Sequence, residues 1–140
     1  MATGNQWKEA VAAINLVADG SENRKALSGI CERISNSSLS STLSVDTSGL
    51  PHRIYVRRSD GSYPSKSIKF EAISGDRIEI CFYDNAARTE RYFFPHTPAR
   101  EAVSRGMRIL ANLNWDTEAK QYRNIFEWFL GNTVGRTPDN

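Results

Sequence analysis

A chain of 140 residues with 39% hydrophobic and 24% charged residues has the size and composition of one globular domain. Its net charge of +2 excludes a strongly basic or acidic protein drawn by its overall field to nucleic acid or membranes. It has no run of about 20 apolar residues and no secretory-signal pattern at its start. We therefore expect a cytoplasmic protein with a single domain over 1–132 and a flexible tail over 133–140.

The first two elements in the chain are predicted to be amphipathic helices, because apolar residues recur there at three- and four-residue spacing. The two apolar stripes are Trp7, Val11, Ile14 and Ala18, then Leu27, Ile30 and Ile34. The first helix is expected over 5–18, since Gly20 stands where a helix would end. Ser21 is expected to cap the second helix.

The segment 35–49 is rich in serine, which is typical of flexible linkers. Leu39, Leu43 and Val45 nevertheless occupy alternate positions, as in an edge strand over 39–46. The pattern favours a loop followed by this strand, and a disordered loop stays open as the alternative.

The middle of the chain alternates between apolar and polar residues and predicts four further strands. Their ranges are 53–58, 67–73, 77–83 and 90–94. The connections are too short for parallel crossovers, so the strands should form an antiparallel meander. Parity assigns one set of apolar residues to the inner face of the sheet. This set is Ile54, Val56, Ile68, Phe70, Ile78, Ile80 and Phe82.

Two helices are predicted to follow the strands. The first has Thr97 as its cap and Pro98 at its first position. Gly106 lies on its apolar face, where a glycine permits a close backbone approach. The second helix is expected over 117–130. The fold class is therefore α+β, a four- to five-stranded antiparallel meander flanked by two N-terminal and two C-terminal helices.

The segment 52–70 has the most uneven charge in the chain, with five basic residues, three aromatic residues and one acidic residue. A basic and aromatic surface is typical of sites that bind nucleic acid or acidic ligands. The candidate residues for such a site are Arg53, Tyr55, Arg57, Arg58, Lys66, Lys69 and Tyr83. The competing interpretation is a solvated sheet face, because Glu71 and Glu79 on neighbouring strands can neutralise these cations.

The helix over 117–130 has an apolar arc that spans more than half of its circumference. Tyr122, Phe126, Phe129 and Leu130 define one face, and Ile125 and Trp128 extend it round the side. A helix packed on a sheet usually needs a narrower stripe. The apolar residues beyond such a stripe predict one of two arrangements. Either the first helix covers them, with Trp7 packed over Trp128, or they form a surface for a partner chain. The candidate partner-binding residues are Trp115, Tyr122, Ile125 and Trp128.

Signals for chemistry are weak in this sequence. Cys31 and Cys81 are the only cysteines and show no zinc-ligand spacing, so we expect free thiols, no metal and no cofactor. Cys81, on the open face of the sheet, is the better candidate nucleophile of the two. A helix start near His96 could bind an anion with help from Arg100, although an ordinary helix cap explains it equally well.

The sequence therefore predicts a non-catalytic intracellular binding protein of the inhibitor, adaptor or immunity type. It would act through protein–protein contacts, with a homodimer as one arrangement. The alternative is a small-ligand or nucleic-acid-binding module that uses the basic and aromatic residues of 53–83.

Overall fold

The computed structural model describes residues 3–17, 20–59, 66–74, 76–84 and 89–112. The helices are α1 (Thr3–Val17), α2 (Glu22–Ser35) and α3 (Ala99–Asn112). The strands are β1 (Leu43–Asp46), β2 (Arg53–Arg58), β3 (Lys66–Ile73), β4 (Arg77–Asp84) and β5 (Thr89–Pro98). The α+β class and the antiparallel sheet are confirmed, with three helices among the described residues. The predicted helix over 117–130 and the tail over 133–140 lie outside those residues.

The five strands form one sheet in the order β1-β2-β3-β4-β5, so each strand pairs with its neighbours in sequence. All of the pairs are antiparallel. The register places Val56 opposite Ile68 and Phe70 opposite Ile80, which brings the apolar residues of successive strands onto one face. The predicted inner face is confirmed, because all seven of its residues have no exposed side-chain surface.

Three helices cover this inner face. Buried residues of α1, α2 and α3 form a single cluster with it, with Trp7, Ile30 and Ile109 as fully buried members. The contact is closest at Gly106 of α3, where an added Cβ atom would lie 2.8 Å from Cε1 of Phe70. The close backbone approach predicted at Gly106 is therefore confirmed, and α3 packs at this point against the Phe70 side chain of β3.

Substitution of Gly106 by alanine should destabilise the fold. Overpacking a core typically costs about 1–3 kcal/mol, whereas the better helix propensity of alanine returns only about 1 kcal/mol. The Gly29→Ala variant is the matched control, because its new Cβ would meet only Cγ2 of Val103, at 3.1 Å. In urea unfolding we expect Gly106→Ala to lose stability and Gly29→Ala to lose less. A Gly106→Ala protein more stable than wild type would contradict the close packing on Phe70.

Both edges of the sheet are protected against pairing with further strands. At the start of β1, the backbone oxygen of Thr42 accepts a hydrogen bond from Ser59 N. By the alternation of an antiparallel pair, the backbone N–H and C=O groups of Leu43 and Val45 then face away from β2. Side chains of α1 bond these groups: Trp7 Nε1 donates to Leu43 O, and Gln6 Oε1 accepts from Val45 N, both at 3.1 Å.

The opposite edge, β5, is irregular. Its register against β4 shifts twice, between Ile78 and Ile80 and between Ile80 and Cys81. Pro95 and Pro98 lie in the strand and have no N–H group to donate to another strand. Bulges and prolines are common devices that prevent edge-to-edge association, so contacts through an added strand are disfavoured at both edges.

The serine-rich segment differs from its prediction. The strand begins at Leu43 and not at residue 39, because Ser38–Ser41 form a short 3₁₀ helix. Serine hydroxyls hold this turn: Ser37 Oγ accepts from Leu39 N at 3.2 Å and donates to Ile34 O at 3.0 Å. Local hydroxyl-to-backbone bonds compete with strand pairing, which the alternation of apolar residues does not reveal.

The helix after the sheet begins one residue later than predicted, at Ala99 and not at Pro98. Thr97 is not a cap, because it lies in β5 opposite Ile78 and is 1% exposed. The α3 helix begins at Ala99, whose N–H donates to Asp76 O at 3.0 Å. Ser21 does occupy the position before α2, but its hydroxyl donates to Asn23 Oδ1 and makes no cap bond. Within the described ranges, no helix has the length and apolarity needed to span a membrane.

Candidate functional site

The outer face of the sheet, opposite the three helices, contains most of the residues proposed for ligand or nucleic-acid binding. Alternation puts three residues of β2 and four residues each of β3 and β4 on this face. They are Arg53, Tyr55 and Arg57, then Ser67, Lys69, Glu71 and Ile73, then Arg77, Glu79, Cys81 and Tyr83. The register brings these side chains together as parity predicted.

Ion pairs neutralise one half of this face. Glu71 and Glu79 stand directly opposite each other on β3 and β4, an arrangement that is unfavourable for like charges. Lys69 lies between them, with Nζ 3.3 Å from Glu71 Oε1 and 3.4 Å from Glu79 Oε1. Arg53 also pairs with Glu71, at 3.1 Å. These four residues, which we call the ion cluster, carry no net charge.

A second pair lies at the β1 side of the face. Arg57 Nη2 is 3.4 Å from Asp46 Oδ2. The pKa of Asp46 is lowered, chiefly because Ser48 N donates to Oδ1 at 2.9 Å and also because of the Arg57 charge. The Nε atom of Arg57 is buried and has no hydrogen-bond partner among the described residues. The charge of Arg57 is thus paired with Asp46, while its Nε donor has no hydrogen-bond partner among the described residues.

The other basic and aromatic candidates are half-buried. Arg58 and Lys66 lie where β2 ends and β3 begins, at one end of the sheet. Tyr55 and Tyr83 are on the outer face and are neither fully exposed nor fully buried. Stacking of bases requires an accessible ring face and an adjacent cationic groove. The pairing of Arg53, Lys69 and Arg57 with carboxylates weakens that groove, and nucleic-acid binding stays a prediction.

The assignment of Cys81 to an open face was wrong. Cys81 is on the outer face opposite Lys69, but its side chain has no exposed surface. Ser67 and Lys69 on the same face are 2% and 8% exposed. Cys81 is not part of the buried cluster formed by the helices and the inner face. Parity fixes the side of the sheet on which a residue lies, but it cannot show what covers that side.

The other thiol is deeply buried in the core. Cys31 has no exposed surface, and burial raises its pKa to about 12. The thiolate is the nucleophilic form of cysteine, so Cys31 should be inert near neutral pH. Among the described residues, no group of three histidine, cysteine, aspartate or glutamate side chains could hold a metal ion.

A cleft of about 330 Å³ lies beside the N-terminal ends of α2 and α3. Its lining residues are Glu22, Asp76, Arg77, Pro98, Ala99 and Arg100. Two carboxylates therefore accompany the two arginines. Arg77 already donates to His96 O at 2.9 Å, and the first amide of α3 is bonded to Asp76. The cleft is consequently balanced in charge, and the anion site proposed near His96 stays a prediction.

Sequence reasoning missed the polar anchors that tie the N-terminal helices to the sheet. Asn23 is 4% exposed, and its Nδ2 donates to Ile73 O at 2.7 Å. Arg24 donates from Nε to Pro51 O and approaches His52 Nδ1 with Nη2, both at 3.2 Å. No spacing rule identifies such bonds, since they join residues far apart in the chain. The roles they indicate are structural.

The predicted partner-binding residues lie outside the described residues. They are Trp115, Tyr122, Ile125 and Trp128. The chain matches no protein-family model, no curated protein and no solved structure in the comparisons made.

Proposed function

We propose that this protein is a non-catalytic binding protein of the inhibitor, adaptor or immunity type. It would bind another protein chain, with a second copy of itself as the simplest case. The surface, which we call the Trp128 surface, consists of Trp115, Tyr122, Ile125 and Trp128. It would be presented by a fourth helix over 117–130, the second of two C-terminal helices flanking the sheet in a cytoplasmic protein.

The burial of the inner face of the sheet is the observation that carries this proposal. Its seven apolar residues have no exposed surface, and buried residues of α1, α2 and α3 form one cluster with them. Trp7, the intramolecular cover for Trp128 in the competing interpretation, is itself fully buried and bonded to β1. These contacts favour burial of the wide apolar arc of 117–130 against another surface. Tryptophan and tyrosine are favoured anchors at protein interfaces.

The closed edges and the balanced charge of the sheet support the same conclusion. A partner that added a strand at the β1 edge would find Leu43 O and Val45 N already hydrogen-bonded to side chains of α1. A polyanion would compete with Glu71 and Glu79 for the cations of the ion cluster. Association through an apolar helix surface needs neither free strand edges nor free charge.

Replacing Trp128 with glutamate tests the proposal. Loss of an interface anchor typically costs about 2 kcal/mol or more, and each 1.4 kcal/mol weakens binding about tenfold. We therefore expect self-association to weaken by more than about tenfold, with an unchanged circular dichroism spectrum. Native mass spectrometry and sedimentation would measure the association.

The control for Trp128→Glu is Leu16→Glu on α1, because Leu16 is an exposed apolar residue outside the proposed surface. This variant should associate like the wild type. A Trp128→Glu protein that loses its fold would place Trp128 in the core and contradict the proposed surface. A wild-type protein that is monomeric at all concentrations would contradict the homodimer.

The alternative function is a small-ligand or nucleic-acid site on the outer face, and the unpartnered Nε of Arg57 supports it. The residues would be Arg53, Tyr55, Arg57, Arg58, Lys66, Lys69 and Tyr83. Binding of single-stranded nucleic acid would then weaken steeply as salt is added. Binding that is absent at low salt, or insensitive to salt, would contradict this alternative.

A further inference from the structure

Three residues of β3 and β4 on the outer face are buried although the three described helices all pack on the other side of the sheet. We call Ser67, Lys69 and Cys81 the outer cluster. Their exposed fractions are 2%, 8% and 0%. Ser67 and Cys81 are diagonal neighbours on adjacent strands, since Ser67 pairs with Tyr83 and Lys69 pairs with Cys81.

Such burial is unusual for an uncovered antiparallel face, which is normally solvated. Serine and cysteine have short side chains, and the longer side chains of Tyr83 and Lys69 stand beside them in the register. Water would reach Ser67 and Cys81 unless other atoms filled the space above them. Because the members of the inner cluster do not include Cys81, the cover must come from outside that cluster.

The course of α3 shows where such a cover can originate. Its first residue, Ala99, bonds to Asp76, next to the end of β3, and Gly106 contacts Phe70 in the middle of β3. The helix therefore runs back towards the beginning of β3 and ends at Asn112. The chain beyond Asn112 consequently starts at the end of the sheet nearest to Ser67 and Tyr83.

The length of the following segment fits this face. A helix over 117–130 would be about 21 Å long at 1.5 Å per residue. Five strands spaced about 4.8 Å apart give a face about 19 Å across. At about 100° per residue, Tyr122, Phe126 and Phe129 fall within one narrow sector. Trp128 lies about 130° from the middle of that sector, whereas Ile125 flanks it at about 70°.

We propose that the segment 117–130 of the same chain docks on the outer cluster through Tyr122, Phe126 and Phe129. The docked helix would turn Trp128 outwards, with Ile125 at the boundary of the two sectors, and the domain would have three layers. Tyr122 would then belong to the docked sector, so that Trp115, Ile125 and Trp128 would be the members of the Trp128 surface that contact a partner. This inference rests on the proposed function and deepens it, because it explains how one helix serves both the core and the partner: one sector covers the outer cluster around Cys81 and the other forms part of the Trp128 surface.

Maleimide labelling of the full chain, read by peptide mass spectrometry, tests the docking. In the wild type, Cys81 should react as slowly as Cys31, which serves as an internal reporter of the folded core. Phe126→Glu should speed the labelling of Cys81 by at least about tenfold by favouring the undocked state, while Cys31 stays unlabelled. Trp128→Glu, the matched control on the outward sector, should leave Cys81 protected. Rapid labelling of Cys81 in the wild type would overturn the proposal.

A second measurement decides the matter if Phe126→Glu exposes both cysteines by unfolding. The variants Phe126→Cys and Trp128→Cys are compared for the rate at which maleimide labels the new cysteine. The folded protein is first diluted until any oligomer has dissociated. We expect protection at 126 and labelling at 128; equal or reversed rates would overturn the docking. Protection of Cys81 that disappears on dilution would assign the cover to a second copy and overturn docking within one chain. None of these readouts depends on partner binding, so the docking and the Trp128 surface can fail separately.

Discussion

Replacing Lys69 with methionine is expected to lower the free energy of unfolding by about 3 kcal/mol, a value typical for removal of one partner from a buried ion pair. The Lys69 side chain is 11% exposed and pairs with both Glu71 and Glu79, at 3.3 and 3.4 Å. Without it, two carboxylates face each other across β3 and β4 with one cation fewer between them, while Glu71 keeps its pair with Arg53. Urea unfolding at neutral pH, followed by circular dichroism, would measure the loss.

The chain supplies a matched control in Lys25, whose pair with Glu22 is 3.5 Å long and 64% exposed on both sides. Exposed pairs contribute at most about 1 kcal/mol, so Lys25→Met should change stability little. Adding Glu79→Gln to Lys69→Met should recover part of the loss, because it removes the repulsion. If Lys69→Met and Lys25→Met were equally stable, the ion cluster would be solvated and would not hold the sheet together.

Replacing Trp7 with alanine should also cost about 3–5 kcal/mol, the usual cost of removing a buried aromatic side chain. Trp7 has no exposed surface and packs in the core between α1 and the sheet. The same substitution removes the donor to Leu43 O and opens the β1 edge. We expect a lower urea midpoint together with concentration-dependent aggregation, measured by light scattering.

A Gln6→Ala and Trp7→Phe double variant separates the two effects. Phenylalanine keeps much of the aromatic volume, whereas both hydrogen bonds to β1 are lost. The double variant should therefore stay folded under conditions that unfold Trp7→Ala, but still associate through its open edge. A folded double variant that remains as dispersed as wild type would show that the bonds from α1 do not protect the edge.

Most of the sheet could be predicted from local alternation, because strands with one buried face repeat every two residues. The range 53–58 matches β2, and the inner face from Ile54 to Phe82 is confirmed. Gly106 was also informative, since a glycine on an apolar helix face has few explanations other than close packing. These features depend on the chemistry of residues close together in sequence.

The errors concern features that depend on distant parts of the chain. Cys81 appeared open because parity says nothing about the layer above a face. Thr97 appeared to be a cap, but β5 continues past Pro95 by means of its bulges and reaches Pro98. Leu39 appeared to belong to a strand, although the bonds of Ser37 form a turn instead. Parity thus placed most of the candidate ligand-binding residues on the outer face of the sheet, while their exposure could not be predicted.

The uninterrupted order of the sheet has a consequence for folding kinetics. Every strand pairs only with a neighbour in sequence, so each pairing closes a short loop at a small entropic cost. The loop between β3 and β4 is the shortest of the loops that join paired strands, so the β3–β4 hairpin can form early. Attachment of α1 is different, because the bond from Trp7 to Leu43 spans 36 residues. We therefore expect a transition state in which the central hairpin is formed and α1 is still undocked, with Trp7 showing a low φ-value.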